Sequence, residues 1–486
     1  MYDSYLNKIK KVFSPIDMTE GNPGKQITAF AIPMLLGNIA QQLYNTADSV
    51  IVGRYVGDNA LAAVGSAGPI LNLLLVLFVG IAVGAGIMVS QYFGARERED
   101  LSGTIGNCIT LTAIASLIIM IIGPLISGPL LRLLDTPESI IGWCETYLNI
   151  IFIGIAGLAY YNILSGILRG LGDSVSSLIY LLIATVVNIV LDILFVAGFD
   201  MGVAGVAIAT VIAQTLSGLL CLLKLIRMSD YYDFKKKYLR LNKKYAPATI
   251  RLGLPSGMTQ AIFSMAMIVV QSLTNSFGEL FIAANVIVMR VDGFGMMPNF
   301  SFGTAMTTYA GQNVGAKKYH RLVQGARQGT IIAMSVSVLI TVLILTFGRN
   351  LMGVFTETEE LVDMSMRMMS ILAVGYIAMA VTQSLCGVMR GAGDTMTPMW
   401  ISLITAIVIR IPIAYGLAYF TRSELYPKGR CESIFISLLF AWTMGALLSF
   451  FFYKRGKWKK KKIEREKSIV EWEKETNKIT EQEVIG

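Results

Sequence analysis

Apolar residues in this 486-residue chain are collected in long runs that glycine, proline or charged residues separate. A helix needs about 20 predominantly apolar residues to cross a bilayer, and each run is long enough. The pattern therefore predicts an all-α membrane protein with twelve transmembrane helices. The runs cover residues 27–52, 60–90, 102–127, 140–168, 175–198, 202–224, 252–276, 281–310, 325–348, 364–388, 397–420 and 432–453.

The composition strengthens this prediction, since 54% of the residues are hydrophobic and only 15% are charged. Soluble domains carry about 25% charged residues, so too few remain here to build a water-facing surface. The single histidine, His320, lies in a basic loop, and the five cysteines are scattered without metal-ligand spacing. We therefore expect neither an enzyme nor a metal centre nor an organic cofactor.

Basic residues dominate the net charge of +9, and they cluster between or beyond the apolar runs. They do not alternate with aromatic residues as in a nucleic-acid groove, so we expect no nucleic-acid partner. Because cytoplasmic loops are enriched in lysine and arginine, both termini are predicted to be cytoplasmic in a multi-pass protein of the cell membrane. The predicted units are an N-terminal segment (1–26), a six-helix lobe (27–224), a basic cytoplasmic linker (225–250), a second six-helix lobe (251–453) and a charged tail (454–486).

Two motifs recur at a constant spacing of 221 residues. Gly166–Asp173 (GILRGLGD) matches Gly387–Asp394 (GVMRGAGD), and Gln91–Arg96 (QYFGAR) matches Gln312–Lys317 (QNVGAK). An even number of helices gives both copies the same orientation in the membrane, a layout found among secondary transporters. We predict two six-helix lobes related by an internal parallel repeat.

The Gly-x-Gly-Asp part of the first motif also occurs in intramembrane aspartyl proteases. Its repetition at the same place in both copies argues against a protease, as does the lack of a suitable second aspartate within a helix. We interpret each copy as a helix end, a turn that tolerates left-handed backbone, and an aspartate that caps the next helix.

Polar residues recur along one face of the first predicted helix at steps of three and four residues. The fifth and sixth helices carry shorter stripes of the same kind. An aspartate inside a span costs about 2.5–3.5 kcal/mol on insertion scales, so these stripes should face a shared aqueous cavity; polar residues that only hold helices together are the alternative. The stripes are Asn38, Gln41, Asn45 and Asp48; Thr185, Asn188 and Asp192; and Thr210, Gln214 and Ser217.

The second half does not repeat this ionisable pattern, because Ile413 occupies the position equivalent to Asp192. It carries Arg290 and Asp292 in the eighth helix and Arg410 in the eleventh instead. Residues two apart do not face each other on a helix, so we predict that Asp292 pairs with Arg410. A contact of this polar group with substrate or a gate is the alternative.

Together these motifs resemble the multidrug and toxic compound extrusion (MATE) transporters, over roughly residues 25–453. Asp48, followed by Val52-Gly53 and Ala60–Ala63, adds to the resemblance. Other branches of that family use acids in helices 7 and 10, where this sequence has Phe263 and Met379. The DinF-like branch implies a coupling-ion site in the first lobe, which falls here on Asp48, Tyr147, Asn162, Asn188, Asp192 and Thr210.

We therefore expect a proton- or sodium-coupled antiporter that exports amphipathic, cationic organic compounds by alternating access and works as a monomer in the bilayer. A flippase or an exporter of a lipid-linked or anionic metabolite is the alternative, and a passive channel is disfavoured because the carboxylates lack ring symmetry. The coupling ion is assigned to Asp48, Asn188, Asp192 and Thr210. The substrate cavity is assigned to Gln41, Asn45, Tyr147, Asn162 and Gln214, with a second polar site at Arg290, Asp292 and Arg410.

Overall fold

The computed structural model describes residues 14–134, 136–424 and 426–456. The start of the N-terminal segment and most of the charged tail (454–486) lie outside the described residues, so the predictions made for them stay predictions. Within the described residues the chain forms helices and no β-strand.

Twelve helices are present in the described part of the chain, which confirms the predicted fold class. They are α1 (Pro23–Tyr55), α2 (Asp58–Ala95), α3 (Arg98–Leu133), α4 (Glu138–Ile153 and Ile155–Gly170), α5 (Ser174–Asp192, continued by the π-helical turn Ile193–Gly198), α6 (Gly202–Ile226), α7 (Ala246–Ser276), α8 (Glu279–Gly315), α9 (Tyr319–Gly353), α10 (Glu359–Gly391), α11 (Met396–Leu403 and Arg410–Phe420, joined by the π-helical segment Ile404–Ile409) and α12 (Ser433–Arg455).

Ten of these helices are long and apolar enough to cross a membrane, and the number is eleven if the two halves of α4 cross it as one bent span. The helix α1 is less apolar because its polar stripe interrupts it. The break in α4 bends it by 55° and was not predicted from the apolar run. At the break, Gly154 packs against α6 so closely that a Cβ atom there would overlap the side chain of Val211.

The first helix of each lobe begins in the core of the other lobe. The start of α1 contributes Ile27 and Phe30 to a cluster with residues of α8 and α9, whereas Val52, near its end, belongs to the first-lobe core. The start of α7 likewise packs on the first-lobe core through Leu252, and its end joins the second-lobe core. Each crossing helix carries an internal proline near the point of exchange, Pro33 or Pro255.

The end of the bundle that holds the basic loops, which we call the basic face, includes the connections at 96–98, 170–174, 227–245, 315–319 and 391–396. The linker at this face packs along α3. The Arg98 guanidinium donates to Asp233 at 2.8 Å and lowers the pKa of that carboxyl. Lys244 forms an ion pair with Asp100 at 2.7 Å. The linker is therefore attached to the first lobe through polar contacts with α3.

The two lobes contact each other from the basic face to about the middle of the bundle. On α2 and α7, close packing of Gly84 against the backbone of Thr249 and Gly253 leaves no room for side chains. Among the described residues, the hydrogen bond between lobes that lies farthest from the basic face is donated by Asn38 Nδ2 to Ser301 Oγ, at 3.0 Å. These contacts close the space between the lobes, which we call the cleft, at the basic face. We call the opposite end of the bundle the distal face.

Candidate functional site

A carboxylate pair lies between α1 and α5 on the first-lobe side of the cleft. Asp192 and Asn188 are completely buried, and the carboxyl groups of Asp48 and Asp192 are within hydrogen-bonding distance of each other. With its amide nitrogen facing them, Asn188 donates to Asp48 Oδ1 at 2.7 Å and to Asp192 Oδ2 at 3.2 Å. Because two like charges repel strongly in a buried site, such a pair holds a proton or attracts a cation.

Several buried oxygen atoms around this pair have no hydrogen-bond partner in the described part of the chain. A buried polar atom without a partner costs about 1–3 kcal/mol, and such atoms in a native structure often mark a bound water or ion. Oxygen atoms are also the ligands that hard cations prefer. The atoms are Asp192 Oδ1 of α5, Gln214 Oε1 of α6, and the hydroxyl oxygens of Tyr44 (α1) and Thr210 (α6), which approach each other.

Tyr44 is the residue of this site that sequence reasoning missed. Its hydroxyl approaches that of Thr210 and lies within electrostatic reach of both carboxyl groups. An aromatic residue inside an apolar run normally indicates core packing, so Tyr44 was not included in the polar stripe of the first predicted helix. The available signal is its position one helical turn before Asp48, on the same face of α1.

The other residues predicted for this cavity divide into two groups. Tyr147 is buried and lies near both carboxyl groups, and Gln214 follows Thr210 by one turn of α6. Asn162 instead donates to the Leu158 carbonyl within its own helix, at 2.8 Å, so the described contacts do not join it to the carboxylates.

The stripe of α1 is also divided between the two sides of the cleft. Gln41 donates to Asn45 at 3.5 Å, and Asn45 is exposed. Asn38 bonds to the second lobe through Ser301. The shared face predicted for the stripe is present, but only its distal end reaches the carboxylate pair.

The direct ion pair that we predict between Asp292 and Arg410 does not form among the described residues. The Asp292 carboxylate accepts a hydrogen bond from Tyr376 Oη of α10 at 2.9 Å, and the Tyr376 ring packs against Gly295 of α8. Arg410 acts on Asp292 only through space, and its buried Nε has no partner. The two residues therefore interact electrostatically without a direct ion pair, because Tyr376 of α10 forms the hydrogen bond to Asp292. Their energetic coupling stays a prediction. Arg290 lines a separate cavity on another side of α8.

The repeated motifs meet across the lobes at the basic face. Gln91 Nε2 donates to the Gly391 carbonyl at 2.8 Å, and Gln312 Nε2 donates to the Gly170 carbonyl at 3.4 Å. These two bonds are related by the repeat, and we call them the glutamine clasp. A Cβ atom at Gly94 would overlap the Gln312 carbonyl, and one at the equivalent Gly315 would overlap that of Gln91. The clasp thus explains why each motif pairs a glutamine with a glycine three residues later.

The Gly-Asp turns have the predicted form. Gly172 and Gly393 adopt positive φ angles of 93° and 92°. Asp173 accepts a hydrogen bond from Ser176 N at 2.9 Å and caps α5, and Asp394 accepts one from Thr397 N at 3.3 Å at the start of α11. The described structure therefore supports the capping interpretation of this motif.

A bundle of membrane-spanning helices in two homologous lobes, with a carboxylate pair beside the cleft between them, is the architecture of a multi-pass membrane transporter. The comparison with protein families agrees with this class. The MatE family model matches residues 33–194 and 255–416, one match in each lobe, and the chain belongs to this family.

Curated relatives cover nearly the whole chain. It is 33% identical to the probable multidrug resistance protein YpnP of Bacillus subtilis, over 93% of this chain and 99% of that protein. It is 29% identical to the probable multidrug resistance protein YoeA of the same organism, over 91% of this chain and 95% of that protein. These matches confirm the family resemblance seen in the motifs.

Solved structures confirm the fold. An outward-facing multidrug resistance MATE family transporter superposes with a TM-score of 0.84 at 24% identity, over 91% of this chain and 98% of that one. A MATE crystal structure in the bent conformation gives the same TM-score at 23% identity, with the same coverage. The likeness supports the two-lobe architecture.

Proposed function

We propose that this protein is a cation-coupled antiporter that exports amphipathic organic compounds, including cationic ones, by alternating access between its lobes. The observation that carries the proposal is the Asp48–Asp192 pair, in which the buried Asp192 Oδ1 has no hydrogen-bond partner and the hydroxyl of Tyr44 lies within electrostatic reach of both carboxyl groups. The names of the curated relatives, probable multidrug resistance proteins, support export of drug-like compounds.

The proposed mechanism uses the carboxylate pair as the coupling device. In this mechanism the lobes are joined at the basic face while a driving cation enters and a compound leaves at the distal face. Neutralisation of the pair by that cation removes the negative charge that would favour a cationic compound in the cleft. Reclosure at the distal face and release of the glutamine clasp would then open the cleft at the basic face. One chain supplies both walls of the cleft, so we propose a monomer as the functional unit.

We favour the proton over sodium as the driving ion, because two carboxyl groups within hydrogen-bonding distance hold one proton between them. In proteoliposomes given a proton gradient alone, we expect uphill transport of an amphipathic dye, and no transport with a sodium gradient alone. Uphill transport under a sodium gradient alone would show that sodium is the driving ion, bound by the same oxygen atoms. Dye movement that only equilibrates under either gradient would favour a channel and contradict the antiporter.

The proposed direction of export requires the basic face to be cytoplasmic, as the arginine and lysine clusters predict. A cysteine placed at Lys236 should react with membrane-impermeant maleimide only after the cells are permeabilised. A cysteine placed at Val354, which is 78% exposed at the opposite end of α9, should react in intact cells. The reverse pattern of labelling would invert the proposed topology.

A further inference from the structure

The cavity that contains Arg290 lies at the seam between the lobes, apart from the carboxylate pair. It measures about 340 Å³ and is formed by residues of α1, α7 and α8. Three amide side chains, Gln42, Gln271 and Asn285, share its wall with Arg290, and none of the described residues that line it is acidic. The cavity is therefore a positively charged, amide-lined space.

Arg290 lies at a depth in the membrane where a positive charge without a partner is energetically unfavourable. It lies eleven residues after the distal start of α8 at Glu279, which corresponds to about 16 Å along a helix axis. That depth is inside a hydrocarbon core of about 30 Å. Its side chain is exposed and, within the described residues, forms no salt bridge. An arginine at this depth normally faces water or a partner and marks a functional site.

The rest of the cavity wall restricts what can bind there. Apolar side chains, among them Met289 and Phe294, line it beside the amides. The volume lies within the range of small-molecule sites, about 300–1,000 Å³, and is far larger than a single inorganic anion requires. A lipid phosphate lies at headgroup level, outside the hydrocarbon core, and does not match the depth of Arg290.

We propose that Arg290 binds an anionic oxygen group, such as a carboxylate, on the amphipathic compounds that this protein transports. The guanidinium supplies charge-assisted hydrogen bonds, the three amides orient the group, and the apolar side chains cover the rest of the molecule. The inference rests on the proposed transport function and refines its substrate class from cationic compounds to compounds that also carry a negative group.

The position of this subsite separates the compound from the driving ion. Gln42 and Asp48 are six residues apart on α1, which places them about 120° apart around the helix. Gln42 faces the cavity at the seam, whereas Asp48 faces Asn188 of the first lobe. The anionic group and the driving ion would therefore bind on different sides of α1.

The test uses two forms of one xanthene dye, a zwitterion with a free carboxylate and its ethyl ester, and measures equilibrium binding to the purified full chain by fluorescence anisotropy. The wild-type protein should bind the carboxylate form at least about tenfold more tightly than the ester. Arg290→Gln should remove that preference and leave ester binding unchanged or stronger, since it also removes a positive charge beside the cationic ester, whereas Arg290→Lys should retain part of the preference. Arg349→Gln, at an exposed arginine paired with Asp363, is the matched control and should change neither affinity.

A second variant keeps Arg290 in place and alters the charge of the wall. Gln271→Glu should weaken binding of the carboxylate form about tenfold and leave ester binding unchanged or stronger. Equal loss of both dyes in Arg290→Gln, or an unchanged carboxylate preference in either variant, would overturn the proposal. Displacement of the carboxylate dye by phosphatidylglycerol but not by phosphatidylcholine in nanodiscs would assign the guanidinium to lipid and also overturn it.

Binding is measured without an ion gradient, so the result does not depend on coupling. A charge preference that depends on Arg290 in a protein that fails to transport under any gradient would contradict the proposed antiport alone. Gradient-driven transport without that preference would contradict the anion subsite alone.

Discussion

Asp48→Asn and Asp192→Asn should each abolish gradient-driven export, lowering the initial rate at least about 100-fold to that of vesicles without a gradient. Each substitution keeps the size of the side chain but removes a carboxylate that can take up a proton or bind a cation. The pair of Asp48 and the buried Asp192 then loses the charge on which the proposed coupling depends. Folding should be retained, because an amide can still accept a hydrogen bond from Asn188 and like-charge repulsion is relieved.

The measurement is the initial rate of dye transport in proteoliposomes with an imposed proton gradient, together with the unfolding temperature of each purified variant. Asp363→Asn is the matched control, since it makes the same chemical change at an exposed residue paired with Arg349, where an ion pair contributes only about 0–1 kcal/mol. Wild-type rates in both Asp48→Asn and Asp192→Asn would remove coupling from the first lobe. Asp292 would then be the remaining carboxylate to test.

The second prediction concerns closure at the basic face. Replacement of both Gln91 and Gln312 by leucine should shift the protein from the state open at the distal face toward one open at the basic face. A typical hydrogen bond contributes about 0.5–1.5 kcal/mol, so loss of the two clasp bonds should shift this equilibrium by roughly tenfold or more. The substitutions change the equilibrium between these two states because both hydrogen bonds join one lobe to the other.

Spin labels at Glu99 and His320 report this change, because both positions are exposed at the basic face and belong to different lobes. In the double leucine variant, a longer distance between the labels should become populated in double electron–electron resonance. Gln260→Leu, at an exposed glutamine of α7, should leave the distribution unchanged. An unaltered distribution in the double leucine variant would show that the clasp does not hold the basic face closed.

Much of the first-lobe site could be predicted from the sequence because the relevant signals are local. Asp48 and Asp192 stand out as acids within apolar runs, and helical periodicity relates them to the polar residues beside them. The Gly-Asp turns were predictable for the same reason, since a positive φ and a capping aspartate depend on adjacent residues.

The parts that sequence did not predict depend on contacts between distant helices. The partner of Asp292 is Tyr376, 84 residues away on α10, and no periodicity links the two. The bend at Gly154 arises from the close approach of α6, which an apolar run cannot reveal. Tyr44 combines an apolar ring with a hydroxyl group, and only its position beside the carboxylates shows that the hydroxyl group belongs to the site.

The exchange of α1 and α7 between the lobes has a consequence for the order in which the chain can fold. During synthesis α1 emerges first, yet Ile27 and Phe30 pack against α8 and α9, which the ribosome makes more than 240 residues later. The first lobe must therefore enter the membrane with half of its leading helix unpacked. If the two copies arose by duplication of one gene, the single-copy ancestor would have paired as a homodimer with exchanged first helices, and fusion would have made that exchange internal.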